Sequence, residues 1–172
     1  MERQNIILAG VVILVILLAF IVAIGLSGNN SFQNGQLYFE YPRAWSQDHV
    51  IGNFSNDTIY SEVTLKSSFT GATGQDQPAF IILSMQPKSQ GFVNTPNATS
   101  IVTNTSNSSQ VSVGVSNLTA IQLGSYSQNI AQKTTVIEKN KYFYTVEYIC
   151  LPSSLNQTEE AYNQILKTFK IV

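Results

Sequence analysis

Hydrophobic and polar positions split the chain into two unlike parts. From Ile6 to Leu26 the apolar pattern is unbroken: sixteen residues are Ile, Leu, Val or Phe, and none is charged. At helical rise this run reaches about 30 Å, the thickness of a bilayer's hydrocarbon core, which predicts a transmembrane helix over 6–26. A cleaved signal peptide is the competitor. Its apolar region should be only about 7–15 residues long and close on a small-x-small site, which Gly25-Leu26-Ser27-Gly28 matches weakly. Arg3 is the only cation ahead of the run, and no Lys or Arg follows until Arg43. That thin bias sets the leader, 1–5, in the cytoplasm and the body outside. The expected location is the cell membrane, single-pass, with lipid contacted through 6–26.

Beyond a polar tether over 27–34, the pattern changes to period two, the signature of half-buried strands. Leu37, Phe39 and Tyr41 share one face and Tyr38 and Glu40 the other, with Pro42 ending the strand and Trp45 folding back onto the core. Residues 59–66 alternate again, with Ile59, Val63 and Leu65 on one side. Gly71 to Gly74 reads as a turn, and the apolar run Ala79 to Met85 as a central strand covered on both faces. Residues 94–119 are a Ser/Thr/Asn-rich excursion leading into Val111, Val113 and Val115. Strands at 134–138 and 142–150 are expected to join through a tight hairpin at Lys139-Asn140, where Asn tolerates positive φ. The second strand sets Tyr142, Tyr144, Val146, Tyr148 and Cys150 on one face.

From about Asn156 the spacing becomes helical. Ala161, Tyr162, Ile165, Leu166 and Phe169 form one stripe. Asn156 with Glu159 fits a capping box, and Thr158 is a rival cap. Glu159 and Glu160 suit the first turn and Lys167 and Lys170 the last. Strands followed by a packing helix give an α+β class: an antiparallel sheet with helical cover.

Composition narrows the chemistry. The 172 residues carry a net charge of −1 with no basic run, which excludes a nucleic-acid interface and a polybasic lipid patch. The single Cys150 excludes an internal disulfide and a cysteine metal site, and reads as a small buried hydrophobe. Eight N-x-Ser/Thr sequons all follow the membrane segment: Asn29, Asn53, Asn56, Asn97, Asn104, Asn107, Asn117 and Asn156. They are candidate glycosylation sites on an outer face.

Phe39-Glu-Tyr-Pro-Arg-Ala-Trp45 resembles the F-x-Y-P-x-x-W opening of PsbP-like domains. Ala161 to Lys170 (AYNQILKTFK) resembles their closing helix, and the Val136 to Ile149 hairpin matches in position. The resemblance spans roughly the whole of 35–172, and membrane-anchored archaeal and bacterial members look much like this chain. It implies the Mog1/PsbP-like fold, an antiparallel sheet with helices packed on its faces, and an extrinsic accessory domain instead of an enzyme. The best-known plant member is a subunit of the photosystem II oxygen-evolving complex, but none of its ion- or partner-contacting side chains matches a residue here. The helix that often follows the family's central strand is replaced by the Ser/Thr/Asn tract.

Catalytic constellations are not marked. His49, the only histidine, is expected with Asp48 in a loop after Trp45; with no nucleophile in reach of the pattern, it reads as a surface or structural residue. Asp48, Asp57 and Asp76 are expected in loops, where they could share a calcium, but no EF-hand spacing links them, and no cofactor or metal is expected. Tyr142, Tyr144 and Tyr148 are the one candidate ligand platform, set against the plainer reading of core packing. The leading expectation is a non-enzymatic binding or assembly accessory with a protein partner at the membrane surface. Its rivals are a pilin-like surface subunit and a small-ligand-binding domain using the tyrosine face.

Overall fold

The computed structural model describes residues 28–71, 74–90 and 108–172. The predicted membrane segment 6–26 therefore lies outside the described residues, as do Asn97, Asn104 and Asn107. Among the described residues no helix is long and apolar enough to cross a membrane.

Among the described residues, ten strands and one α-helix are arranged in two layers. In chain order they are β1 (Asn29–Asn34), β2 (Leu37–Pro42), β3 (Ser46–Ile51), β4 (Ser61–Thr70), β5 (Asp76–Pro87), β6 (Ser108–Val113), β7 (Leu118–Tyr126), β8 (Ala131–Lys139), β9 (Tyr142–Cys150), α1 (Leu155–Thr168) and β10 (Lys170–Ile171). One layer is a seven-stranded antiparallel sheet in the order β3-β4-β5-β9-β8-β7-β6. The second layer is a small antiparallel sheet, β1-β2-β10, set beside α1. Both parts of this layer cover the same face of the large sheet.

The core lies between the layers. The large sheet contributes Val63 and Leu65 from β4, Ile81, Leu83 and Met85 from β5, and Tyr144, Val146 and Tyr148 from β9. From the other side come Phe32, Leu37 and Phe39 of the small sheet and Tyr162 and Ile165 of the helix. Phe39 is fully buried, stacked on Phe32 with ring centroids 5.0 Å apart. Trp45 packs back against Phe69 at 6.2 Å. The alternation of Leu37, Phe39 and Tyr41 and the helical stripe from Ala161 to Phe169 are buried as their spacing predicts.

Polar pins fix the helix to the sheet. The Tyr162 hydroxyl is bonded to Thr135, and both accept from the Gln122 amide at 3.2 Å. The Tyr148 hydroxyl meets Thr158, which in turn donates to the Ser154 carbonyl at 3.0 Å. Lys133 of β8 pairs with Glu159. At the far end the Gly114 N–H donates to the Leu166 carbonyl at 2.7 Å, satisfying one of the helix's orphan acceptors.

Several expectations change in the structure. Residues 29–34 of the expected tether form β1, because Phe32 gives this polar segment one buried anchor against β2. The end of the 94–119 excursion is ordered as β6 and the start of β7, a hairpin turning through Gly114 to Asn117. The strand expected at 59–66 begins later and runs Ser61–Thr70; Ile59 is exposed in the preceding loop. Among the described residues helical cover lies on one face of the large sheet, supplied by α1. In β5 the odd-numbered residues Ala79 to Met85 are buried, while Phe80, Ile82 and Ser84 are only half-buried on the other side. The β8–β9 turn is centred one residue later, on Asn140-Lys141, with Asn140 at φ 54°. The helix starts at Leu155 with Ser154 at its N-cap, so Asn156 lies within the first turn and Glu159 and Glu160 beyond it. Lys170 belongs to β10. Asp48 and His49 sit in β3, not in a loop.

Candidate functional site

The candidate site is the face of the large sheet that the described α1 and small sheet do not cover. Period-two geometry sends alternate side chains of every strand to the side opposite the core. No described helix or strand packs there. Its apolar residues include Phe80, Ile82, Ile121, Leu123, Val136 and Ile149, half-buried for the most part, with Ile121 49% exposed. Gln132, Thr134, Thr145 and Glu147 divide these into two groups, Phe80, Ile82 and Ile149 on β5–β9 and Ile121, Leu123 and Val136 on β7–β8; exposed apolar groups of this kind are candidate contact surfaces.

Among these residues lies an ordered acidic cluster. The His49 ring bridges Glu62 (Nε2 to Oε1, 2.9 Å) and Asp48 (Nδ1 to Oδ2, 3.4 Å). A register shift in β3 between Gln47 and His49 brings the ring opposite Thr64, beside Glu62. Tyr60 donates to the other Glu62 oxygen, and Gln132 donates to Glu147. Glu62 and Glu147 lie on either side of β5, paired with Ser84 and Ile82 respectively.

Charge and burial set the titration. Hydrogen bonds to Glu62 and then Asp48 raise the His49 pKa above its ordinary value. Burial first, then the Glu62 hydrogen bond, pushes the Tyr60 hydroxyl well above its usual range. Glu147 is raised chiefly by burial; the Gln132 bond opposes that, and the neighbouring Glu62 charge adds to it. Glu147 is a half-buried carboxylate between Ile82 and Thr134, bonded by Gln132 and with no ion-pair partner among the described residues.

That has a consequence for stability. A folded-state pKa above the unfolded one means the native state binds the proton more tightly, so stability falls as pH rises from about 4.5 through the raised value. Glu147→Gln is therefore expected to stabilise the domain at pH 7, by under about 1 kcal/mol given its partial solvent exposure. The gain should vanish below about pH 4. Thermal melts of both proteins from pH 3.5 to 8 check this, and an equal difference at all pH values would contradict it.

The sites expected from the sequence fall elsewhere. Tyr142, Tyr144 and Tyr148 form no open platform. Their exposures are 6%, 2% and 0%, because α1 and the small sheet cover that face of β9. Tyr144 packs edge-on against Phe169 and Tyr148 against Tyr162, while the Tyr142 hydroxyl donates to the Asn56 carbonyl. Burial raises the Tyr144 and Tyr162 hydroxyls to about 12. Cys150 is buried beside the Tyr148 hydroxyl at 3.0 Å. Asp48, Asp57 and Asp76 are scattered over β3, a loop and the start of β5, and no metal-binding group of three acidic, His or Cys residues occurs among the described residues. Asn29, Asn53, Asn56, Asn117 and Asn156 are all exposed. The approach of Glu62 and Glu147 had no signal in the linear pattern beyond each residue's place on the outward set of its strand, while Tyr60, just ahead of β4, bonds Glu62 locally. Glu62 and Glu147 come near each other only through the strand order β4-β5-β9.

No protein-family profile and no curated protein matches the chain. Among solved structures, a protein from Bacteroides thetaiotaomicron aligns with 83% of this chain at 8% identity and a TM-score of 0.50. The alignment takes in 48% of that protein, so this chain spans about half its length. That likeness is one of fold. LpqN of Mycobacterium tuberculosis, described as involved in cell envelope biogenesis, is 18% identical over 84% of this chain and 91% of its own, with a TM-score of 0.45. The cyanobacterial PsbP of Synechocystis is 9% identical over 85% and 94%, with a TM-score of 0.46.

Proposed function

We propose that this chain is a membrane-anchored, extracytoplasmic domain of PsbP-like type. In this reading it is a non-enzymatic assembly accessory that docks a protein partner on the open face of its large sheet. The observation that carries the reading is the asymmetry of that sheet. One face is sealed by the small sheet and α1, while the other, among the described residues, carries apolar side chains on either side of the half-buried carboxylate Glu147.

Complementarity defines the partner's surface: apolar, with one basic side chain placed to meet Glu147. A cation there would relieve the cost of burying that carboxylate, an interaction worth most once water is excluded. The PsbP-like part of the proposal rests on Phe39, Tyr41 and Trp45, all buried where β2 meets the large sheet, and on the closing helix from Ala161. The anchoring and outward orientation rest on the apolar run 6–26 and its charge bias. A lipid-held domain meets membrane partners at high effective concentration, so a modest docking surface suffices. Photo-cross-linking in native membranes from positions on the open face tests the reading.

A further inference from the structure

A second site lies on the opposite layer, away from the open face. Between the β6–β7 hairpin and the C-terminal half of α1 is a cleft of about 370 Å³ lined by Val111, Ser112, Asn117, Gln122, Asn163, Leu166 and Lys167 around Gly114. Its lining contains one cation, three carboxamides, a hydroxyl and no acidic side chain. Lys167 has no carboxylate partner among the described residues.

The walls are held in place before any ligand arrives. The Gly114 N–H donates to the Leu166 carbonyl at 2.7 Å, tying the hairpin to the helix end. The Gln122 amide nitrogen is committed to Tyr162 and Thr135, each at 3.2 Å, which leaves its oxygen as the acceptor. Asn117 sits at φ 48° in the turn, bonded through its own N–H to the Gly114 carbonyl at 3.1 Å. The volume is at the small end of ligand pockets, suited to a single-ring compound. A lysine selects an anion; carboxamides, which both donate and accept, suit hydroxyl groups.

We infer that this cleft binds a small hydroxylated carboxylate, of the size and chemistry of an acidic monosaccharide, with Lys167 on the carboxylate and Asn163, Asn117 and Gln122 on the hydroxyls. The site is independent of the sheet face and of whatever docks there.

The test is ligand-observed saturation-transfer NMR on the full chain in detergent, made in a host without N-glycosylation, since a glycan on Asn117 would fill the cleft mouth. Glucuronate is the probe and glucose its neutral control. Lys167 is exposed, so Lys167→Met should fold with an unchanged Tm. The expected result is saturable glucuronate binding, weakened tenfold or more both for glucose and by Lys167→Met. Absence of saturation, a smaller loss in the variant, or equal binding of glucose would each overturn the inference.

Discussion

Gly114→Ala should unfold this domain about 10 °C below the parent. The residue lies at φ +73°, where a Cβ costs about 1–2 kcal/mol. In addition, an added Cβ would stand 2.0 Å from the Phe169 carbonyl oxygen, a backbone atom that cannot swing aside. Relief requires the β6–β7 hairpin to lift from the helix end, breaking the Gly114 to Leu166 bond and opening the packing around Val113. The total loss is about 3 kcal/mol or more. Gly74→Ala separates the two causes. Gly74 has nearly the same φ, +75°, but nothing lies within 4 Å of an added Cβ. It should cost only about 1 kcal/mol. Equal effects in the two variants, read by chemical denaturation, would show that the hairpin does not clamp the helix.

Phe39→Ala should cost about 3–5 kcal/mol, while Phe80→Ala should cost about 1 kcal/mol or less. Both are Phe on a strand. Phe39 of β2 is fully buried between the layers, against Phe32 at 5.0 Å and Tyr41 at 6.0 Å. Truncating it leaves a cavity against the Phe32 and Tyr41 rings. Phe80 of β5 points to the open face, half-buried, with the Lys66 ammonium 6.0 Å from its ring centre. Its loss exposes no core and removes one weak cation–ring contact. A large loss at Phe80 would mean that this face is packed as core, contrary to the two-layer arrangement.

Much of the architecture was legible from periodicity. Alternation at Leu37, Phe39 and Tyr41 and the helical stripe from Ala161 to Phe169 depend only on which neighbours along the chain face the same way. The same holds for β9, whose five residues from Tyr142 to Cys150 are buried together. The class, antiparallel strands closed by a terminal helix, follows from those runs.

What periodicity could not supply is which face each element meets. The tyrosines of β9 read equally well as a platform or as core; only the docking of α1 decides, and that contact is made by residues more than ten positions away. The apolar run Ala79 to Met85 suggested cover on both sides. The described elements cover one; on the other, Ile82 lies beside Glu147 and Phe80 beside Lys66 and Ile149. Capping was misplaced for a local reason. Ser154 lies just ahead of the helix without a side-chain bond to it, so the hydrogen-bonding pattern that marks a cap is absent. In β1 and β6, Asn, Ser and Gln outnumber apolar residues. Strand formation there depends on pairing with β2 and β7, which overrides low intrinsic preference.

The central claim is that the open sheet face is where this domain meets its partner. It is tested most directly by placing a photo-cross-linking phenylalanine analogue at Ile121 on that face and, separately, at Gln157 on the exposed side of α1, in the full chain in native membranes. The account predicts one discrete adduct from Ile121, diminished when Glu147 is changed to Gln, and none from Gln157. Adducts from Gln157 alone, or none from either position, would contradict it.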